Sequence, residues 1–291
     1  MPSPLWRAIA NIISVDVEDY FHPNEVQQSR GVRPDQWDSL PSRVEAATKR
    51  TLDLFARHQT QGTFFILGWV ARKFPRLVRD IADAGHEIAC HSHLHRLVYD
   101  LTPAEFRDDT RTAVDAISQA CGIAPKAYRA PSYTITSRSM WALEILAECG
   151  FTHDSSIYPI HHDRYGIPGY SRRPVTVSTP SGPIVEVPIA AVELARGHVA
   201  PVGGGGYLRL LPYAYTAAGI RRLNMEERVP ACIYFHPWEI DPHQPKLATG
   251  ALARLRTYLG LAGMESKIDR LMTDFRFSTM AQVHPAPHPA E

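Results

Sequence analysis

The chain has 291 residues, of which 44% are hydrophobic and 21% are charged, so it can bury a core as one large domain or two small ones. Its 31 basic and 30 acidic residues nearly cancel, which excludes the strongly basic surface of a protein that binds nucleic acid or an anionic membrane. No run approaches the roughly 20 apolar residues of a membrane helix, and we expect no transmembrane segment.

The first residues and the cysteines bear on the cellular compartment. The N-terminal sequence has no charged start followed by a long apolar stretch and a cleavage site, so no secretory signal is expected. The four cysteines, at positions 90, 121, 149 and 232, have neither disulfide-framework nor zinc-ribbon spacing. We therefore expect buried thiols and a cytoplasmic location.

Short β-rich runs alternate with helical patterns along most of the chain. Strands are predicted at 11–15, 63–67, 86–90, 126–129, near 152 and at 231–235, and helices at about 42–58, 69–84, 102–121, 137–149 and 246–275. The segment Thr102-Pro103-Ala104-Glu105 is typical of a helix start, with a threonine cap, a proline in the first turn and a glutamate that closes a capping box. The alternation predicts an α/β fold with parallel strands and helical crossovers.

The regular pattern weakens between about 156 and 215, where Pro, Gly and Tyr are dense. Long irregular segments in a compact domain are usually functional loops. The run Gly203-Gly204-Gly205-Gly206 lacks the lysine and hydroxyl residue of a phosphate-binding loop. We expect it to form a flexible wall of a substrate cleft.

Reactive side chains recur where predicted strands end. Asp16, His91, Arg129, Asp154 and His236 each lie at or just after the carboxyl end of a strand. In a parallel α/β barrel these ends meet on one face, where catalytic loops lie. The sequence therefore predicts that the five residues form one site.

Two histidines four residues apart and an acidic cluster have the composition of a metal site. His91 and His95 follow the cluster Asp16-Val17-Glu18-Asp19, which ends the first apolar run. Imidazole and carboxylate ligands suit a divalent cation such as zinc, and three protein ligands leave a position for water. This is the composition of a hydrolytic centre.

Three motifs carry a resemblance to a known family. The segments 14–21 (SVDVEDYF), 129–133 (RAPSY) and 234–239 (YFHPWE) resemble those of the polysaccharide deacetylases, the carbohydrate esterases that share the rhizobial NodB homology domain. More closely, they are similar to the subfamily found in exosortase-linked exopolysaccharide loci. The resemblance covers residues 10 to 280 and implies a distorted (β/α) barrel with seven or eight parallel strands.

The resemblance also implies a role for each strand-end residue. Asp16 matches the catalytic base of the family, and Arg129 matches the arginine that orients this base. His91 and His95 match the metal-binding histidines. His236 matches the catalytic acid, and Asp154 lies where the family places the carboxylate that holds this histidine.

The chain departs from the family pattern at the first motif. Many members have two adjacent aspartates, base and then ligand, whereas Val17 occupies the second place here. Strand alternation puts Glu18 on the same face as Asp16, while a turn after the strand would bring in Asp19. Both stay open as the metal carboxylate, and Asp19 is preferred because its side chain is shorter and stiffer.

The third motif also departs, because Ser132 lies between Pro131 and Tyr133. The backbone amide that stabilises the oxyanion could therefore belong to Ser132 or Tyr133, and Tyr133 is preferred. Trp238 and Tyr158 are candidates for stacking against sugar rings, although Trp238 could equally pack the mouth of the barrel.

Together these features predict a zinc-dependent hydrolase that removes N-acetyl groups from an amino-sugar glycan or its biosynthetic precursor. We expect one deacetylase domain over the whole chain, with an extension at about 237–280 and a loose tail at 282–291. The oligomeric state stays open. Two alternatives are a metal-free cyclic amide hydrolase related to allantoinases, and a glycan-binding relative without turnover.

Overall fold

The computed structural model of the chain describes residues 9–194, 197–247 and 250–286. The strands are β1 (Ala10–Val17), β2 (Thr63–Ile66), β3 (Glu87–Cys90), β4 (Ala127–Tyr128), β5 (His153–Asp154), β6 (Val175–Thr179), β7 (Gly182–Glu186), β8 (Ala191–Glu193), β9 (Val199–Pro201), β10 (Cys232–Phe235) and β11 (Arg276–Ser278). The helices are α1 (Asn24–Arg30), α2 (Val44–Arg57), α3 (Gly68–Lys73), α4 (Pro75–Asp83), α5 (Pro103–Cys121), α6 (Ala142–Glu148), α7 (Gly205–Leu210), α8 (Tyr213–Arg222), α9 (Ala251–Tyr258), α10 (Leu261–Asp274) and α11 (Met280–Val283).

The main sheet confirms the predicted α/β fold. Its strand order is β10-β1-β2-β3-β4-β5-β7-β6, and β11 pairs with β1. All of its pairings are parallel except that of β6 with β7. Beyond β7 the backbone N–H of Ala190 donates to the carbonyl of Cys232 in β10, at 2.9 Å. This contact joins the two sides of the curved sheet.

The two faces of the sheet have different neighbours. One set of alternating strand residues, including Val15, Phe64 and Ile88, belongs to the large core cluster packed against the helices. The opposite set, including Ile12 and Phe65, belongs to a second cluster with Tyr133, Tyr158 and Tyr234. Strands buried on both faces must be apolar at nearly every position, which explains the continuous hydrophobic runs. The second face leads to the site.

Helix boundaries follow local sequence signals. The Thr102 side chain accepts from the backbone N–H of Glu105, and the Glu105 side chain accepts from Thr102, so the predicted capping box starts α5. The single helix predicted over 69–84 is instead divided into α3 and α4 at Phe74. Pro75 is the reason, because the residue before a proline is displaced from helical geometry.

The later part of the chain is more regular than its composition indicates. Residues 156–215 contain the β6–β7 hairpin, the β8–β9 pair and α7. The helix predicted over 246–275 is two helices, which meet at Gly260 with a φ of 85°. Of the predicted tail, Gln282 and Val283 belong to α11, and residues 287–291 lie outside the described residues. Within the described ranges, no helix is long and apolar enough to cross a membrane.

Candidate active site

A cavity of about 510 Å³ opens at the carboxyl ends of the parallel strands. Asp16, His91, His95 and His236 line it together with Glu18. Other lining residues come from α1, the 161–165 loop, α7 and the end of α9, namely Asn24, His161, His162, Asp163, Tyr165, Gly205, Gly206, Tyr207, Arg209, Arg256 and Thr257. Strand ends therefore supply its floor and later segments its walls.

Glu18, His91 and His95 form a compact group of metal-binding side chains. One ligand atom from each lies within 4.8 Å of the others, and all three residues are buried. The Nε2 atoms of both histidines lie 2.9 Å from the same atom, Glu18 Oε1. Although burial alone would raise it, the pKa of Glu18 is held well below its ordinary value by the neighbouring His95, His236 and His91. The group therefore contains a carboxylate.

The hydrogen bond behind His91 shows that this group fits a cation. His91 Nδ1 lies 2.8 Å from the carbonyl oxygen of Arg129, which can only accept, so Nδ1 carries the proton. In the neutral ring Nε2 then presents a lone pair toward Glu18 Oε1. Two such acceptors repel unless a proton or a metal ion lies between them, and a carbonyl behind the ring is a common support of metal-bound histidine.

Asp19, the preferred metal carboxylate, points elsewhere. Its oxygens accept from the Ser42 hydroxyl and from the backbone N–H groups of Tyr20, Arg43 and Val44. Arg43 and Val44 begin α2, so Asp19 caps this helix from a distant part of the chain. Asp19, in the turn after β1, therefore caps α2. Glu18, the alternative that strand alternation favoured, is the carboxylate that faces His91 and His95.

Asp16 is fixed by a buried arginine. Arg129 Nη1 donates to Asp16 Oδ1 at 2.7 Å and to the Ser14 hydroxyl at 2.8 Å. The guanidinium also donates to the Ser155 carbonyl and hydroxyl and stacks over the Phe65 ring at 4.0 Å. Burial alone would lower the pKa of Arg129, but Asp16 raises it above its ordinary value. Asp16 is therefore held in one orientation by a buried guanidinium.

Glu239, not Asp154, holds His236. Glu239 Oε2 lies 2.9 Å from His236 Nδ1 and accepts from the His236 backbone N–H at 3.0 Å. On the other side of the ring, His236 Nε2 lies 3.9 Å from Asp16 Oδ2 and 3.8 Å from Glu18 Oε1. Burial alone would lower the pKa of His236, but Glu18, Glu239 and Asp16 outweigh it and raise the pKa to about 9.

Sequence reasoning missed Glu239, although a signal was present. A glutamate three residues after a helix-starting residue is typical of a capping box, and His236 and Glu239 form one at the start of a short 3-10 helix. The spacing returns the carboxylate to the residue that begins the turn. Here that residue is itself a candidate catalytic group.

Asp154 lies behind the site and supports the third motif. Its Oδ1 accepts from the Ser156 hydroxyl at 2.5 Å, and the Ser156 oxygen accepts from the backbone N–H of Ala130 at 2.8 Å. Asp154 also pairs in parallel register with Glu186 of β7. Burial and the neighbouring Asp154 raise the pKa of Glu186 well above its ordinary value. Burial beside Asp154 therefore favours the protonated form of Glu186.

The third motif forms a strained turn at the cavity wall. Ser132 and Tyr133 have φ values of 50° and 54°, in the left-handed region that non-glycine residues rarely adopt. Asn24 of α1 donates to the Ser132 hydroxyl at 2.8 Å. The Tyr133 backbone N–H, preferred for the oxyanion, donates to the Ala130 carbonyl at 3.1 Å. It is already engaged, which favours the Ser132 alternative.

The two aromatic residues predicted to stack on sugar have different positions. Trp238 lines the cavity, and its ring stacks on His236 with centroids 5.1 Å apart and planes at 25°. Tyr158 is fully buried, and its hydroxyl donates to the Gly203 carbonyl at 3.2 Å. Tyr158 therefore belongs to the core, whereas Trp238 orients His236.

The glycine run is required by close packing rather than by flexibility. A Cβ on Gly204 would lie 2.0 Å from Cδ1 of Tyr234, and a Cβ on Gly205 would lie 2.4 Å from the Tyr234 hydroxyl oxygen. Gly204 and Gly205 also have positive φ values, of 85° and 53°, which glycine adopts without strain. The run lines the cavity as predicted, but its role is to seat α7 against β10.

Two family models match successive parts of the chain. Residues 36–153 match the family described as polysaccharide deacetylase. Residues 155–285 match a family described as a domain of unknown function, DUF3473. His91 and His95 lie in the part that matches the polysaccharide deacetylase family, and His236 and Glu239 lie in the other part.

Two curated relatives of the chain are bacterial deacetylases. The chain is 34% identical over 98 residues to a peptidoglycan-N-acetylglucosamine deacetylase of Bacillus cereus, an alignment that covers 33% of this chain and 36% of the relative. It is 35% identical over 101 residues to a chitooligosaccharide deacetylase of a Bradyrhizobium species, covering 34% of this chain and 43% of the relative. The chain thus spans less than half the length of either relative.

Solved structures with the same fold extend over the whole chain. A Mycobacterium smegmatis protein, assigned provisionally as a polysaccharide deacetylase, covers 100% of this chain and 96% of its own with a TM-score of 0.63 and 19% identity. The alignment with PuuE allantoinase covers 99% of this chain and 94% of the allantoinase, with a TM-score of 0.61 and 15% sequence identity. At these identities the comparison shows the fold alone.

Proposed function

We propose that this protein is a metal-dependent hydrolase that removes N-acetyl groups from an amino-sugar glycan or its precursor, in the formation of an exopolysaccharide or cell-surface polysaccharide. The observation that carries the proposal is the convergence of Glu18, His91 and His95 beside Asp16 and His236 in one cavity. The matched relatives, which act on peptidoglycan and chitooligosaccharides, support an N-acetylated saccharide as substrate.

Glu18, His91 and His95 would hold the metal ion. One carboxylate and two imidazoles are the ligand types that zinc accepts, and three protein ligands leave room for water. When bound, the ion would lower the pKa of its water and polarise the acetyl carbonyl. Because nickel, cobalt and manganese accept similar ligands, zinc is the first metal to test.

Asp16 is the proposed general base. Its Oδ1 is occupied by Arg129, which leaves Oδ2 to accept a proton from the attacking water. The water oxygen forms a bond to the carbonyl carbon, giving a tetrahedral oxyanion. A backbone N–H of the strained 132–133 turn, with Ser132 the better placed, would donate to this oxyanion. One such donor typically contributes roughly 100- to 1000-fold in rate.

His236 is the proposed general acid. Its Nδ1 is engaged by Glu239, so Nε2 is the atom that gives a proton to the sugar nitrogen. The carbon–nitrogen bond then breaks and releases acetate and a free amine, because an amine anion is too basic to leave unaided. Asp16 and His236 face each other across 3.9 Å, and the scissile amide would occupy the space above them.

Acetate release tests this proposal. We expect zinc-loaded protein to release acetate from N-acetylglucosamine oligomers, and Asp16→Asn to lower the rate about 100- to 10,000-fold, as loss of a general base does. The matched control is Asp53→Asn, which changes an exposed aspartate of α2 and should leave the rate unchanged. Full turnover by Asp16→Asn would refute the assigned base.

The same preparation distinguishes the alternatives. A cyclic amide hydrolase would open a ring such as allantoin and work without metal, so activity in metal-free protein would support it. A glycan-binding relative would bind the oligomers and release no acetate when fully loaded with metal. The Glu18–His91–His95 group argues against the first alternative, and the presence of both Asp16 and His236 argues against the second.

A further inference from the structure

We propose that Arg209 is a positioning residue for this reaction, which fixes Glu239 and through it His236, and which ties this pair to the cavity wall at the end of α9. The inference rests on the proposed function for the role of His236. Arg209 lies in the part of the chain that matches the domain of unknown function, outside all motifs that predicted the site.

The contacts of Arg209 are those of a fixed residue. Its side chain is only 2% exposed, and its Nε donates to Glu239 Oε1 at 3.0 Å. Nη1 donates to the carbonyls of Thr257 and Leu259 at 2.7 and 3.1 Å, and Nη2 donates to the Arg256 carbonyl. The guanidinium therefore joins one carboxylate to three backbone carbonyls within about one turn at the end of α9.

Glu239 needs this partner. It is completely buried, with Oε2 engaged by His236 and Oε1 by Arg209. A buried carboxylate without a permanent cation is strongly unfavourable, and removal of Arg209 would leave Glu239 free to rotate or to take up a proton. Either change would release the His236 ring, because Glu239 orients its Nδ1.

Arg209 also contacts the His236 imidazole indirectly through the Trp238 ring. The Arg209 guanidinium lies over the Trp238 ring, 5.7 Å from its centroid, and the Trp238 ring stacks on His236. Arg209 therefore contacts both residues that hold His236. Glu239 lies at the edge of the imidazole ring, and Trp238 lies on its face.

Local structure fixes Arg209 in turn. The glycine run packs α7 against Tyr234 of β10, which lies two residues before His236 in the chain. At the other end of α7, Lys267 of α10 donates to the carbonyls of Leu208, Arg209 and Leu211 at 2.6, 3.1 and 2.6 Å. The backbone of Arg209 is thus set by neighbours on both sides.

The carbonyl contacts give Arg209 a role in the cavity wall as well. Arg256 and Thr257 line the cavity, and their carbonyls accept from Arg209. The Arg256 Nη2 atom also lies 3.6 Å from Oδ2 of Asp163, in the 161–165 loop. The segment that closes one side of the substrate cavity and the acid that protonates the leaving group are therefore held by a single guanidinium.

A double-mutant cycle on acetate release tests this role. We expect Arg209→Gln and Glu239→Gln each to lower kcat about 10- to 100-fold, the size of effect that misplacing a catalytic group produces. If Arg209 acts through Glu239, the double variant should lie within about 3-fold of Glu239→Gln alone. Effects on kcat that multiply would overturn the proposal. Arg209→Lys, which keeps the charge, should recover part of the loss.

Two further measurements separate this role from general stability. Arg172→Gln removes a partly buried pair with Glu227, whose closest atoms lie 2.6 Å apart, away from the cavity, and should leave kcat unchanged. All variants should retain metal, because Arg209 contacts none of the three ligands. An equal loss of kcat in Arg172→Gln would show that destabilisation alone explains the result.

A measurement without turnover keeps the inference independent of the proposed activity. If wild-type protein releases no acetate, the proposed function fails, but hydrogen exchange can still test the contacts. Arg209→Gln should accelerate amide exchange in 236–240 and 251–259 and leave α5 unchanged. Unchanged exchange in the first two segments would refute the positioning role.

Discussion

At the residue scale, the site separates what strand periodicity can predict from what it cannot. Asp16 lies near the end of β1 and Glu18 lies one residue beyond it, and both reach the cavity as their spacing of two residues predicts. Asp19 and Asp154 lie elsewhere in the structure, because the Asp19 side chain accepts from residues that start α2 and Asp154 pairs in register with Glu186. Capping of α2 by Asp19 and pairing of Asp154 with Glu186 depend on the assembled fold.

The two acidic neighbours give a matched test of the metal site. We expect Glu18→Gln to lose bound zinc, because the variant lacks the carboxylate that both histidines face. Asp19→Asn should keep zinc and lose about 1 kcal/mol of unfolding free energy, the usual contribution of a helix cap. Metal analysis and denaturant unfolding measure the two effects. Zinc loss from Asp19→Asn with retention in Glu18→Gln would reverse the assignment.

At the element scale, the sequence predicts strands better than it predicts what interrupts helices. Strong apolar runs predicted β1, β2, β3 and β10 within about two residues, because a strand buried on both faces has little freedom in composition. The β6–β7 hairpin was missed, since its strands are partly exposed and lie among prolines and glycines. Its pairing partner, β5, is distant in sequence and gives no local signal.

The pairing of β5 with β7 makes stability depend on pH. The folded-state pKa of Glu186 is raised, so its protonated form adds to the free energy of unfolding. This contribution is fully present below the unfolded-state pKa of about 4.3, and it is lost as the pH rises through the folded-state pKa. Between these two pKa values, the free energy of unfolding of the wild type should fall by about 1.4 kcal/mol per pH unit because of Glu186. Glu186→Gln, which is neutral at all pH values, should lose less.

Thermal unfolding between pH 5 and 8 measures this difference. The control is Glu193→Gln, which changes an exposed glutamate of β8 and should follow the wild-type pH dependence. Parallel curves for wild type and Glu186→Gln would show that the pKa of Glu186 is not raised in the folded protein.

At the scale of the whole molecule, the site is assembled from both matched regions and from the segment before them, which supplies Asp16 and Glu18. The first supplies His91 and His95, and the second supplies His236, Glu239 and the α7 wall. The single sheet explains why, because β10 pairs with β1 although more than 200 residues separate them. No local pattern could predict Arg209, which becomes significant only when α7 meets the end of α9.

Metal binding should stabilise the folded protein as a unit. Ligands that bind only the folded state add about 2.7 kcal/mol when their concentration is 100 times Kd, which raises Tm by about 5 °C for a chain of this size. We expect a chelator to lower Tm by this amount and zinc to restore it. Glu18→Gln is the control and should not respond, and an equal response would place the metal elsewhere.

Ser14 and Asp16 lie on one face of β1, and Glu18 follows directly after the strand ends, so the three residues occupy every second position. Ser14 accepts a hydrogen bond from Arg129, Asp16 is the proposed base and Glu18 is the proposed metal ligand. A single residue inserted or deleted in β1 before Ser14 would turn Ser14 and Asp16 to the opposite face of the sheet and would displace Glu18 with them. The catalytic and metal-binding side chains therefore depend on the length of this one strand, whereas a substitution changes one of them at a time.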